Sequence, residues 1–277
     1  MAGNKGKKII AIDIGGTNVR VSLVKDKKIL KYIKKPTPKT TQEIIKELFS
    51  LIDSLIDKDV KGIGIGCPGP LKNGVIQSPP NLPFRNFNLK KTIQDKYKIK
   101  TIVDNDAKCV ALAEYNYGFK KKDFIVLTIG TGIGGGIFIN GKLYRGSSGY
   151  GGELGHIIID NGKTFEEFAA SKNLKKLTYE AFGKEMLIKE LFKIKNNKAK
   201  KILDELSEYI GQGIGSLINI FDPEIVVISG GIKENGPAFL NMIRKKAGKY
   251  SILPKKTRIE WIKLDHPGTL GASLLIK

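Results

Sequence analysis

One pattern occurs twice in this chain, and it limits the folds open to it. An apolar, strand-like run leads into a turn of glycine and threonine, and a second strand-like run follows. The first copy is "AIDIGGTNVRVSLV", around Gly15, Gly16 and Thr17. The second is "LTIGTGIGGGIFINGKLY", Leu127–Tyr144, with five glycines between Gly130 and Gly136. Behind each copy, strands alternate with helical patterns. That alternation implies mixed α/β sheets covered by helices, arranged as two similar halves.

The individual elements follow from hydrophobic period. Lys8–Asp13 is a near-continuous apolar strand, "VRVSLV" alternates as a second, and "KKILKYIKK" offers a third. Ile44, Ile45, Leu48, Phe49, Leu51, Ile52, Leu55 and Ile56 recur at helical spacing, which predicts a helix over Thr41–Asp57. "VKGIGIGCPGP" is a strand running into a Pro/Gly turn. "IKTIVDND" is a strand ending on carboxylates. "AKCVALAEYNYG" is a helix stopping at Gly118. The pattern restarts at the strand Phe124–Ile129. Helical stretches run from Thr164 to Phe221, then come a strand "EIVVISGG", a helix after Asn235, a strand "RIEWIKL" and a closing helix from Gly268. No low-complexity segment separates the halves, so a continuous hinge is expected rather than tethered domains.

The glycine run satisfies G-x-G-x-x-G through Gly130, Gly132 and Gly135, but a dinucleotide site needs those glycines to open a helix. Here Ile137, Phe138 and Ile139 follow, then Asn140-Gly141, a hairpin turn signal. The glycines therefore sit between two strands. Such a turn can still bind an anion, because successive backbone N–H groups without Cβ atoms form a concavity, to which Thr131 adds a hydroxyl. The turn at Gly15-Gly16-Thr17 has the same grammar. Two phosphate-gripping hairpins are thus expected, one heading each half. Neither is a Walker A loop, since no G-K-[ST] follows.

Bulk properties exclude several classes. The longest apolar run near the N-terminus, Ile9–Ile12, is too short for a secretory signal, and no run approaches the roughly 20 residues of a membrane span. Two cysteines, Cys67 and Cys109, argue against a disulfide scaffold. A cytoplasmic protein without a membrane partner is expected. The formal charge of +21 raises nucleic acid as a partner. However, the lysines are spread along the whole chain, and arginine occurs only at Arg20, Arg85, Arg145, Arg244 and Arg258. The reading is a solvated lysine surface with weak polyanion adhesion and no specific nucleic acid.

Six segments, in order, carry a resemblance: "AIDIGGTNVRVSLV", "GIGCPGPL", "SPPNLPF", "VDNDAKCVALAE", "LTIGTGIGGGIFINGKLYRGSSGYGGELGH" and "EIVVISGG". Together they resemble the ROK family of sugar kinases, transcriptional repressors and open reading frames. The resemblance runs nearly end to end. It implies the actin-like, ribonuclease-H-like two-domain ATPase fold with a cleft between the domains. Residues 1–107 with 268–277 would form a small α/β domain and residues 108–267 a large one. It also implies phosphorylation of a hexose, glucose above all, at its 6-hydroxyl, with ATP and Mg²⁺, by a homodimer.

Carried over residue by residue, the resemblance makes Asp106 the catalytic base. A sugar hydroxyl is too weak an acid to ionise early, so the carboxylate orients it and takes the proton as transfer proceeds. Asp104 or Asp106 could instead cap the following helix, and Asp104 suits that role better. The implied sugar contacts are Gly69, Asn81, Asn105, Asp106, Glu153, His156 and Glu167, with Glu166 competing with Glu167. The implied nucleotide contacts are Asp13, Gly15, Gly16, Thr17, Gly130, Thr131, Gly132, Gly230 and Gly231. Asp13, beside a phosphate turn, would face Mg²⁺ through water. An N-acetylhexosamine kinase, for N-acetylmannosamine or N-acetylglucosamine, is the alternative. A sugar-sensing repressor would need a DNA-binding head before the first phosphate strand, where only seven residues precede Lys8. Many relatives carry a zinc-binding cysteine cluster after the "E-x-G-H" histidine. Here "IIIDNGKTFEEFAAS" holds no cysteine, and no zinc site is expected.

Overall fold

The apolar run at Lys8–Ile14 becomes strand β1 in the computed structural model, which describes residues 6–276. β1 heads the first of two units. β2 (Asn18–Lys25) and β3 (Lys28–Pro36) follow it as a meander. Helix α1 (Thr41–Asp53) leads to β4 (Val60–Cys67). A small three-stranded patch comes next: β5 (Leu71–Lys72), β6 (Val75–Ile76) and β7 (Phe87–Asn88). Then α2 (Leu89–Tyr97), β8 (Thr101–Asn105) and α3 (Asp106–Tyr117) complete the run. The main sheet has the order β3-β2-β1-β4-β8. β1 pairs antiparallel with β2 and parallel with β4, and β4 pairs parallel with β8.

The sheet of the second unit repeats that plan. Its strands are β9 (Phe124–Ile129), β10 (Ile133–Ile139), β11 (Lys142–Leu143), β14 (Ile225–Ser229) and β15 (Arg258–Trp261), in the order β11-β10-β9-β14-β15. Between β11 and β14 lie a two-stranded ribbon, β12 (Ile158–Asp160) and β13 (Lys163–Thr164), and the helices α4 (Phe165–Ala169), α5 (Ser171–Phe182), α6 (Ile188–Leu191) and α7 (Asn197–Phe221). α8 (Gly236–Tyr250) precedes β15. Once more the first pair, β9 with β10, is antiparallel, and β9–β14 and β14–β15 are parallel. The restart read at Phe124 is a duplicated topology. The last helix, α9 (Pro267–Ser273), returns the chain to the first unit.

Burial explains the continuous apolar strands. In β1, Ile10, Ile12 and Ile14 pack with Ile44, Leu48 and Ile52 of α1 and Ile63 and Ile65 of β4. The alternate residue Ala11 packs with Cys109 and Ala113 of α3 and Leu270 and Leu275. A strand covered on both faces has no polar side to alternate. In the second unit Ile125, Leu127 and Ile129 pack with Ile210, Ile214 and Leu217 of α7 and Phe239 and Ile243 of α8.

The unit boundaries differ from the division expected at 107/108 and 267/268. The first unit takes the described residues up to Lys120, Leu143–Gly151 and those from Leu264 onward; the second takes Lys121–Lys142 and Gly152–Lys263. A cut at 107/108 would split α3, whose Cys109 and Ala113 belong to the first unit's core. Helix α1 begins as predicted, with Thr40 and Glu43 in a reciprocal capping box. It ends at Asp53 rather than Asp57, because Leu55 N–H turns back to Ile52 O at 2.9 Å and tightens the last turn. Among the described residues, no helix is long and apolar enough to cross a membrane.

Candidate active site

Pairing register lines up the first unit's candidate residues. Asp13 lies opposite Gly66, Gly66 opposite Asp104, and Cys67 opposite Asn105. The carboxyl ends of β1, β4 and β8 therefore form one edge, the edge where open α/β sheets bind ligands. Gly69, with φ of +88°, turns the chain just past β4. The Gly15–Thr17 turn leaves β1 at the same edge. Gly16 and Thr17 are exposed, and Gly15 N–H closes the turn on Asn18 O at 2.9 Å. Thr37 supports it from behind: its hydroxyl donates to Gly15 O at 2.6 Å and its N–H to Thr17 O. Asn81 lies directly over Gly16, whose missing Cβ would meet the Asn81 Cβ at 3.0 Å.

The β8–α3 junction assigns its polar residues differently from the sequence reading. Asp104 does not cap α3. Asn105 is the N-cap, and its Oδ1 accepts the Lys108 N–H at 3.1 Å. Asp104 instead accepts the Asn105 N–H at 2.8 Å and pairs with Arg145 at 2.6 Å. The reason is geometric. Asn105 is the last residue with extended backbone, so its side chain is the one that can reach the first turn. Its amide nitrogen stays available to donate. Asp106 occupies the first helical position, partly buried, and its Oδ1 accepts the Ala107 N–H at 2.9 Å.

Asp13 is held by a residue the sequence reading gave no role. Arg20 on β2 reaches across the pair and donates to Asp13 Oδ2 at 3.2 Å. Burial pushes the Asp13 carboxyl above the usual carboxylate range, and the Arg20 guanidinium opposes that rise. Among the described residues, no group of three or more His, Cys, Asp or Glu side chains is arranged to hold a metal. A lone carboxylate suits a hydrated Mg²⁺ that arrives on nucleotide phosphates, since that ion keeps most of its waters.

In the second unit the glycine turn joins β9 to β10, as a hairpin. Gly130 N–H closes on Gly132 O at 2.9 Å, Thr131 is exposed, and Gly130 O accepts the Ser171 N–H of α5. Ser229 is in register with Thr128, so Gly230 and Gly231 leave β14 beside this turn. Gly230 is obligatory there: φ is +96°, and a Cβ would lie 2.3 Å from Ile129 O. Gly135 serves packing rather than phosphate. Leu154 and Gly152 O occupy the space where its side chain would be, which docks the "GGELGH" loop on β10. In that loop Glu153 caps, and His156 ends, the 3₁₀ turn Leu154–His156, and both are exposed.

The two adjacent glutamates part company. Glu167 is the N3 residue of the α4 capping box: its Oε2 accepts the Thr164 N–H at 2.8 Å and the Thr164 hydroxyl at 2.9 Å, bonds that hold its carboxyl below the usual range. Glu166 lies against Gly132, and its Oε2 accepts the Ile133 N–H at 2.6 Å. Each carboxylate is thus tied to local backbone, Glu167 at a helix cap and Glu166 at the start of β10.

These segments are those of a known family. The ROK family model matches residues 9–277. The chain belongs to the ROK family. A glucokinase of Thermotoga maritima is 30% identical over 98% of this chain and 97% of its own length. A xylose repressor of Caldicellulosiruptor bescii is 29% identical over 97% of this chain and 77% of its own. The crystal structure of a ROK glucokinase from Streptomyces griseus, in complex with glucose and AMPPNP, superposes with a TM-score of 0.88 at 26% identity, covering 97% of this chain and 99% of that one. The fold is thus the actin-like ATPase fold of ROK glucokinases. The kinase matches support a ROK sugar kinase, while the repressor match leaves the substrate open.

Proposed function

We propose that this protein is an ATP-dependent hexokinase of the glucokinase type, which transfers the γ-phosphoryl group of ATP to the 6-hydroxyl of glucose. The observation that carries the reading is the register along one sheet edge. Asp106 and Asn105 on the β8–α3 junction share that edge with Asp13 and the exposed Gly15–Thr17 turn.

Phosphoryl transfer needs positioning and charge neutralisation more than covalent help. Asp106, at the positive end of α3, accepts a hydrogen bond from the attacking hydroxyl. It takes the proton as the bond to phosphorus forms, so no free alkoxide is needed. Asn105 donates its amide N–H groups to a neighbouring sugar oxygen, its own oxygen being tied to Lys108 N–H. The Glu153 and Glu166 carboxylates accept from the remaining sugar hydroxyls, and His156 accepts from or donates to one of them. Backbone N–H groups and hydroxyls of Gly15–Thr17 and Gly130–Gly132 receive phosphate oxygens. Gly230 and Gly231 give the nucleoside a surface without side chains. Magnesium would supply further charge neutralisation, and Asp13 is the residue that would hold it, through water.

The reading is tested by coupled ADP release with glucose, mannose, glucosamine, N-acetylglucosamine and N-acetylmannosamine, using ATP or polyphosphate as donor. Glucose with Mg-ATP should give the highest kcat/KM. A preference for an N-acetylhexosamine would move the substrate within the family, and no ADP release with any sugar would overturn the kinase reading.

A further inference from the structure

Two buried charges flank the proposed sugar-facing pair, Asn105 and Asp106. Asp104 and Lys108 are only 6% and 5% exposed. Both turn onto the same loop. Arg145 Nη2 meets Asp104 Oδ2 at 2.6 Å, and Lys108 Nζ donates to Gly149 O at 2.7 Å. The loop is itself closed, with Gly151 N–H on Arg145 O at 2.9 Å, and it bends through left-handed backbone at Gly146 and Gly149. Residues 143–151 therefore belong to the first unit although their neighbours on either side belong to the second. The chain leaves this loop and reaches Glu153 two residues later.

Charge burial makes the tether strong. An Asp104 carboxylate deprived of Arg145 would be a buried, uncompensated charge, and such losses are costly. Removing Gly149 O would strip Lys108 of a charge-assisted bond. The loop cannot drift from the junction without incurring both costs together. Residues 104–108 thus divide their work: the middle pair faces substrate and the outer pair grips the chain.

Resting on the proposed roles of Asn105, Asp106 and Glu153, we infer that Asp104 and Lys108 are positioning residues that lock loop 145–151 onto the β8–α3 junction and so fix the chain's entry into Glu153. Lys108→Met keeps the backbone N–H that Asn105 caps, so Asp106 retains its setting while the loop loses one tether. Arg145→Gln removes the other tether from its half-exposed end; because it leaves Asp104 buried without its partner, thermal unfolding of the variant is measured alongside.

The experiment pairs hydrogen exchange with steady-state kinetics on glucose. In both variants the amides of 145–151 should exchange faster while those of α3 stay protected. KM for glucose should rise roughly tenfold or more with kcat within about threefold, the pattern of lost substrate positioning rather than lost chemistry. Arg145→Lys, which keeps the charge, should recover part of the loss. A purely structural tether would lower thermal stability and leave the glucose KM unchanged, and that result, in an active wild-type protein, overturns the inference. Unchanged loop exchange would overturn it as well. An inactive wild-type protein is the separate failure of the kinase reading, and the inference falls with it.

Discussion

Asp13 stands between two opposed forces. Burial raises its pKa, and Arg20 at 3.2 Å lowers it. The net shift is upward, so ionised Asp13 costs the fold stability. That contribution is most favourable below the unfolded pKa and is lost as pH rises through the folded value. Arg20→Gln removes the opposing force. The carboxyl should then titrate at higher pH, carrying the acid limb of kcat/KM upward with it, and an unmoved acid limb would show that another group sets it. Asp106→Asn tests the base. Asn keeps the Ala107 N–H bond but cannot accept a proton, so kcat should fall by roughly 10²-fold or more. Glucose affinity by calorimetry should stay within a few-fold, and near-normal kcat would move the role elsewhere. The placement of Asp13 and Asp106 at strand ends was legible, because carboxylates closing an apolar run are easy to see. Glu166 and Glu167 were not separable, since adjacent glutamates differ only in their partners, Ile133 N–H for one and Thr164 for the other.

Helix α9 shows what an element's sequence hides. It packs on α3 and β4 at backbone distance. A Cβ on Gly271 would lie 1.7 Å from Cys109 O, and one on Gly64 would lie 1.9 Å from Ala272 O. Gly271→Ala must push two helices apart, at a cost of about 1–3 kcal/mol or more. Gly248, inside α8, meets nothing within 4 Å. Gly248→Ala should therefore stabilise by about 0.5–1 kcal/mol through helix propensity alone. Opposite shifts in Tm from the same substitution would separate close packing from propensity, and equal shifts would refute the contact. Helix α1 was legible because its apolar period is long, whereas the reciprocal Thr40–Glu43 cap that starts it emerged only from the structure. Helix α2 was missed because only Leu89 and Ile93 of its nine residues are buried, too few to reveal a period. The run from Thr164 to Phe221 read as helical, and it breaks where Gly183 adopts φ of +71° after α5. The duplicated sheets were readable because strands covered on both faces stay apolar throughout, whereas the 143–151 loop's place in the first unit depends on Asp104 and Lys108, a long-range pairing that no local pattern carries.

The charge of the whole molecule must be reconciled with its function. The value of +21 would suit a nucleic-acid binder, and a xylose repressor is among its relatives. The lysines, however, are distributed over the elements rather than gathered on one. Lys28, Lys31, Lys34 and Lys35 are exposed along the edge strand β3, where positive charge discourages edge-to-edge pairing. Lys198, Lys200 and Lys201 are exposed at the start of α7 in the other unit. Several more are paired locally, as Lys8 is with Asp57 and Asp59. Scattered ammonium groups attract any phosphate backbone but read no base edge. Binding to random duplex DNA should therefore be weak, indifferent to sequence and unaffected by glucose. Since affinity falls steeply with salt for each phosphate contacted, it should disappear between about 50 and 200 mM salt. Fluorescence anisotropy with several unrelated duplexes, across that salt range and with and without glucose, checks this. A duplex held tightly at the upper salt limit and released by a sugar would instead mark a sugar-sensing regulator, and the charge would then belong to function rather than to solubility.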